Sequence, residues 1–280
     1  MDKNKRALIM FLAIVVILSA PIEAIWLLNG EDGAGVAPLL MMAPLVAALA
    51  VKLKYFKKQG VLGIALGKPI HYLYAVIIPT LYIGLSYAIY WLFAPGAFVG
   101  PAELASILSS AVKISNAPAA MTIAVISMLL LNSLFCLGEE AGWRGLMYPL
   151  MHGMWGRNKA LLISGAVWAA WHMAPLVAGV YMSGAPVAYQ IPMFTLQLIS
   201  ISVGMSWLRM KSGSVWPAVI WHALHNFYDQ LVFRSMTAAV GNSAYFISET
   251  GFITTLCAVA SAALILAFGK FAKSADSFTK

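Results

Sequence analysis

Charge is what this chain has least of. Only 10% of its 280 residues are Asp, Glu, Lys or Arg, against about 25% in a typical soluble domain. That excludes an ordinary water-soluble globule. Cysteine is nearly absent too: Cys136 and Cys257 both lie in apolar runs, with no C-x-x-C and no zinc-type spacing. A disulfide scaffold, a zinc ribbon and a dithiol redox motif are thereby excluded, and both residues read as small packing groups. Apolar/polar alternation at period two is missing, which removes a strand-built barrel. No internal repeat is visible, nor any linker long enough to separate a second domain, so residues 1–280 read as one integral-membrane domain.

What is present is apolar sequence, 61% of the chain. It falls into runs of roughly 17–25 residues, the length that crosses about 30 Å of hydrocarbon. About eight such runs are found, near residues 7–28, 36–52, 70–94, 118–138, 160–180, 188–209, 214–233 and 251–271. Continuous runs of this kind satisfy the backbone in lipid only as helices. The expected fold class is therefore all-α, a polytopic transmembrane bundle of about eight helices. The opening stretch MDKNKRALIMFLAIVVILSA resembles a signal peptide in its basic start. Its apolar body continues past PIEAIWLL without a small-residue cleavage site, so it reads as the first membrane helix.

The net charge of +8 finds its explanation in orientation. With the N-terminus inside, sixteen of the eighteen Lys and Arg residues fall in inner segments, and only Lys113 and Arg234 fall outside. The topology expected is N-in/C-in, and no nucleic-acid partner is required. Segment 52–68 mixes basic and apolar residues and reads as an inner-surface stretch among anionic lipids. Segment 101–116 reads as a short amphipathic helix on the outer face. With no organelle signal evident, the composition suits a prokaryotic inner membrane.

Ionisable groups inside lipid are costly, about 2.5–3.5 kcal/mol at the helix centre on insertion scales, and by default they mark function. They are few here. Glu23 sits in the first run. Glu139, Glu140 and Arg144 sit where the fourth run is expected to end. His172 lies in the fifth, and His222, His225, Asn226 and Asp229 lie in the seventh. Glu140 and Arg144 are i and i+4, so they face each other on a helix and read as an ion pair. Glu139 points about 100° away, without that partner, as a general base would. The bland alternative is that both glutamates simply reach water. A lone His172 is equally compatible with a hydrogen-bonded core histidine, and the groups around His222 with a polar seam. Taken together, a carboxylate, two imidazoles and an amide from three helices suffice to activate a water and stabilise an oxyanion. Glu139, His172 and His222 could equally be ligands of a divalent metal such as zinc. Glu23, His225 and Asp229 receive no role, and His71 and His152 read as structural.

E-E-x-x-x-R at 139–144, aromatic-x-x-x-His at 168–172 and H-x-x-x-N at 222–226, in that order on successive helices, resemble the CPBP family. These are CAAX-protease and bacteriocin-processing intramembrane endopeptidases, which include the type 2 CAAX prenyl endopeptidase. The resemblance spans about residues 118–233. It implies hydrolysis of a peptide bond in a membrane-associated peptide or protein, in a cavity open to the cytoplasmic side. The substrate would be a prenylated CAAX-type tail or a bacteriocin-like peptide. It also implies Glu139 as the base, His172 holding the water, His222 and Asn226 as the oxyanion pocket, and Glu140 and Arg144 in support. The family has been described both as metal-dependent and as metal-free. The motifs supply few metal ligands and Asn is a poor one, so the reading leans to water activated by Glu139 without a metal. Where the family's second motif usually begins with Phe, this chain has Trp168. H-E-x-x-H, G-x-S-G and paired G-x-G-D motifs are absent. The competing reading is a non-enzymatic immunity protein, scaffold or transporter built around the same polar cavity; paired broken helices in repeated halves, expected of many transporters, are not seen.

Overall fold

The computed structural model describes residues 2–110, 117–182 and 184–271, and among them the regular structure is all helical, with no strand and one isolated antiparallel bridge between Phe98 and Thr237. Lys113, Lys273 and Lys280, and the end of the expected outer amphipathic helix, lie outside the described residues. The helices are α1 (Lys3–Asn29), α2 (Ala37–Tyr55), α3 (Pro69–Phe93), α4 (Ala102–Ser110), α5 (Ala117–Glu140), α6 (Tyr148–Trp155), α7 (Arg157–Trp171), α8 (Met173–Val177), α9 (Val187–Ser212), α10 (Trp216–Asn226), α11 (Phe233–Ser235) and α12 (Phe252–Phe268).

Four helical runs among the described residues are long and apolar enough to cross a membrane: Lys3–Tyr55, Pro69–Phe93, Met121–Trp155 and Val187–Ser212. The first run holds two of the apolar stretches read from sequence. Its 53 residues would extend about 80 Å if straight, far more than a bilayer needs. The 3-10 segment Gly30–Val36 breaks it, and α1 and α2 pack on each other. The stretch 160–180 is not one helix: α7 stops at Trp171, where Pro175 can give no N–H back to the Trp171 carbonyl. The stretch 214–233 stays helical but changes winding, because α10 passes into a π-helical segment, Phe227–Val232, after Asn226. The last apolar helix, α12, has 17 residues.

The outside of the bundle is greasy. Leu28, Leu81, Leu92, Phe93 and Leu130 stand exposed, as lipid-facing side chains do. The inside is where the polar groups lie. α9 is the central element and packs against α7, α10 and α12. It carries Ser200, Ser202, Gly204 and Ser206 inward, small residues that let neighbours approach closely. These apolar helices and their inverted polarity are those of an integral membrane protein.

One boundary differs from the sequence reading. The helix bearing Glu139, Glu140 and Arg144 does not end there. It continues from α5 through a π-helical segment, Ala141–Met147, into α6, making one run from Met121 to Trp155. The charges are mid-helix, and the helix tolerates them because they find partners on other helices.

Candidate active site

Two glycines set the position of the acidic pair. Gly138 and Gly142 are one turn apart on the face that meets α2. A Cβ at Gly138 would come within 2.6 Å of the Met41 carbonyl oxygen, and one at Gly142 within 2.8 Å of the Pro44 carbonyl oxygen. Only hydrogen fits, so α2 lies directly on the segment bearing Glu139 and Glu140.

Glu140 is fully buried and tied down twice. Arg144 Nη1 donates to its Oε1 at 2.8 Å, and His222 Nδ1 to the same oxygen at 2.9 Å. A carboxylate accepts only, so Nδ1 of His222 carries the hydrogen and Nε2 is left for other work. Arg144 Nη2 donates to Ser202 Oγ on α9 at 2.7 Å, which ties together the three helical runs that bear the acidic pair, Ser202 and His222. The i,i+4 pairing expected from sequence is present, and His222 and Ser202 extend it. Both glutamates are buried, so neither simply reaches water.

Glu139 has a different partner. Trp168 Nε1 donates to Glu139 Oε2 at 2.8 Å. The Trp168 ring also carries the Arg144 guanidinium over its face, 4.1 Å from the ring centre, and meets His172 and His222 edge-on. The indole thus sits between the acidic pair and both histidines. His172 closes α7, where the chain turns out of the helix. Its Nδ1 donates to the Trp168 carbonyl at 2.9 Å, which leaves Nε2 as the acceptor of the neutral ring.

Glu139, His172, His222 and Asn226 all line one cavity of about 180 Å³. Its remaining wall is largely aromatic and aliphatic, with Trp26, Trp171, Phe194 and Leu198 among it. Both π-helical segments begin directly after motif residues, Glu140 and Asn226. Such segments are rare and often re-aim side chains at functional sites.

Several contributors carried no signal in the sequence reading. Glu249, in the loop before α12, is buried and lines the same cavity. Gln230 Nε2 donates to its Oε1 and Tyr181 Oη to its Oε2, both at 2.7 Å. Burial, and then the Glu249 carboxylate, push the Tyr181 phenol well above its ordinary range, so it remains a donor at physiological pH. Asn132 lines the cavity and donates to the Ala223 carbonyl at 2.8 Å, pinning α10 to α5. Cys136, read as packing, lies between polar groups: its Sγ is 3.4 Å from Asn132 Oδ1 and 3.8 Å from Asn226 Nδ2.

Residues left without a role divide. His225 lines the cavity, with Nδ1 2.5 Å from the Tyr82 hydroxyl. Asp229 is buried but off the cavity and accepts from Tyr87 at 3.1 Å. Glu23, His71 and His152 do not line it. Among the described residues no group of three or more His, Cys, Asp or Glu side chains is placed to hold a metal ion.

Residues 119–228, the part of the chain that holds all three motifs and most of this cavity, match a family model. No curated protein matches the chain. The family model is described as type II CAAX prenyl endopeptidase Rce1-like, so this segment is similar to an endopeptidase family, the one its motifs resemble.

Proposed function

We propose that the chain is an intramembrane endopeptidase in which Glu139 activates water to cleave a peptide bond of a membrane-associated substrate. The observation that carries this reading is the meeting of Glu139, His172, His222 and Asn226 on one buried, mostly apolar cavity. Glu139 takes a proton from water while the oxygen attacks the substrate carbonyl, and returns that proton to the leaving amine. The Trp168 N–H holds one carboxylate oxygen at 2.8 Å, leaving the other for the water. His172, oriented through Nδ1, accepts from the same water at Nε2. His222 and the Asn226 amide face the developing oxyanion. With Nδ1–H committed to Glu140, His222 donates from Nε2 as the imidazolium, and Glu140 stands between the two cations, Arg144 and His222. The scheme assigns no step to a metal.

In this reading the eight apolar stretches cross a prokaryotic inner membrane with both termini in the cytoplasm, and the cavity is reached from the cytoplasmic side. Substrates are prenylated tails or bacteriocin-like peptides. The experiment is cleavage of a library of membrane-anchored and prenylated peptides by purified protein in vesicles, read by mass spectrometry with and without chelator. A single hydrolysed bond, formed equally with chelator, is expected. Loss of cleavage with chelator would overturn the metal-free step, and an uncut library would count against the peptidase.

A further inference from the structure

The cavity holds a carboxylate that the hydrolytic scheme does not use. Glu249 comes from outside the segment that matches the family, on the turn before α12. That turn is well fixed: Gly251 N–H donates to the Ser248 carbonyl at 3.0 Å, and Ile253 N–H to the Phe246 carbonyl at 2.8 Å. The carboxylate is therefore placed before any substrate arrives. Only 4% of the residue is exposed.

Both Glu249 oxygens accept from neutral donors, Tyr181 and Gln230. Neutral donors satisfy geometry without cancelling charge. An ionised carboxylate offers about four lone-pair directions, so two stay open. The salt bridges seen at the site, Arg144–Glu140 and His222–Glu140, do not reach Glu249. No Lys or Arg lines the cavity among these residues, whereas two carboxylates, Glu139 and Glu249, do. Burying a carboxylate without a cation is costly, and a cation supplied by a ligand recovers that cost. The aromatic wall beside it, with Trp26 and Tyr181 edge to face at 6.2 Å, suits the methylene stem of a long basic side chain.

We propose that Glu249 anchors a substrate subsite that takes the Lys or Arg side chain of the peptide being cleaved. The inference rests on the peptidase reading. A peptide carrying a basic residue near the reacting bond is drawn in by Glu249. A peptide placing a carboxylate there meets repulsion from both acidic residues.

The probe is a set of fluorescent, lipid-anchored peptides in which one position after another is Lys, norleucine or Glu. Binding is measured on full-length Glu139→Gln protein in vesicles, where the second carboxylate is neutral, and cleavage is measured on wild type. The expected result is one position at which Lys binds about tenfold or more tightly than norleucine, as for a hydrogen bond to a charged group. Glu should bind more weakly than either. Adding Glu249→Gln should bring the Lys-to-norleucine ratio to about one, that is, abolish the contribution of the charged pair. A flat profile at every position, or a preference that survives Glu249→Gln, overturns the proposal. Should the Glu249→Gln protein not fold, the ratio measured with Glu249 intact decides alone. A lysine preference without any cleavage by wild type keeps the subsite and removes the peptidase reading. Cleavage with a flat profile does the reverse.

Discussion

Arg144→Ala is the perturbation whose size follows most directly from the geometry. The guanidinium is 3% exposed and makes three contacts at once: Glu140 at 2.8 Å, Ser202 at 2.7 Å, and the Trp168 ring at 4.1 Å. Truncation leaves the Glu140 carboxylate in the interior with His222 as its one remaining partner. Breaking a buried pair in this way costs about 3–5 kcal/mol, the lower end applying here because the His222 imidazolium still faces Glu140. At about 2 °C per kcal/mol for a large chain, that is a fall of about 6–10 °C in the unfolding midpoint. The assay is thermal unfolding of purified protein in one detergent. The companion is Glu140→Gln/Arg144→Met, which removes both charges. Its loss should be smaller than the sum of the two single losses, because the Glu140–Arg144 contact is lost only once and His222 rests as the neutral ring, still donating Nδ1–H to the new amide. An Arg144→Ala midpoint equivalent to a change within about 0.5 kcal/mol, the range of ordinary surface substitutions, would refute the buried pairing.

Trp168→Phe keeps an aromatic ring but removes the N–H that reaches Glu139, so kcat on any cleaved peptide should fall about tenfold or more, with a smaller change in KM. Steady-state kinetics on both proteins check this, and an unchanged kcat would deny Trp168 its positioning role. Gly142→Val inserts side-chain atoms where the Pro44 carbonyl already stands, so it should separate α2 from the acidic segment and lower stability by about 1–3 kcal/mol or more, seen in the same unfolding assay. Asn132→Ala removes the bond to the Ala223 carbonyl and should cost about 1–3 kcal/mol of stability, again read by unfolding.

The parts of the site that could be read from sequence were those whose cost in lipid makes them conspicuous. Glu139, Glu140, Arg144, His172, His222 and Asn226 interrupt apolar runs, and each lies on or directly behind the cavity wall. The i,i+4 geometry gave the Glu140–Arg144 contact because it depends on one helix alone. Contacts between helices had no such local signal. Trp168 read as an aromatic one turn from His172, and nothing in its spacing says that its N–H meets Glu139. Glu249 lies in a short turn between apolar stretches, where a charged residue is unremarkable. The break after Trp171 and the change of winding after Asn226 were hidden for another reason: hydropathy counts apolar residues but is blind to which carbonyl each N–H chooses. So a broken helix and a continuous one look alike in the sequence. Cys136 read as packing because its polar neighbours, Asn132 and Asn226, come from its own helix and a distant one.

The central claim is that Glu139 is the base of a peptidase. Its most direct test is turnover of one cleaved membrane-anchored peptide by wild type and Glu139→Gln in the same vesicles, with peptide binding and thermal unfolding measured in parallel. The account predicts a loss of kcat of at least about a hundredfold, with binding and the unfolding midpoint retained. Turnover near the wild-type rate in a folded Glu139→Gln protein would contradict it.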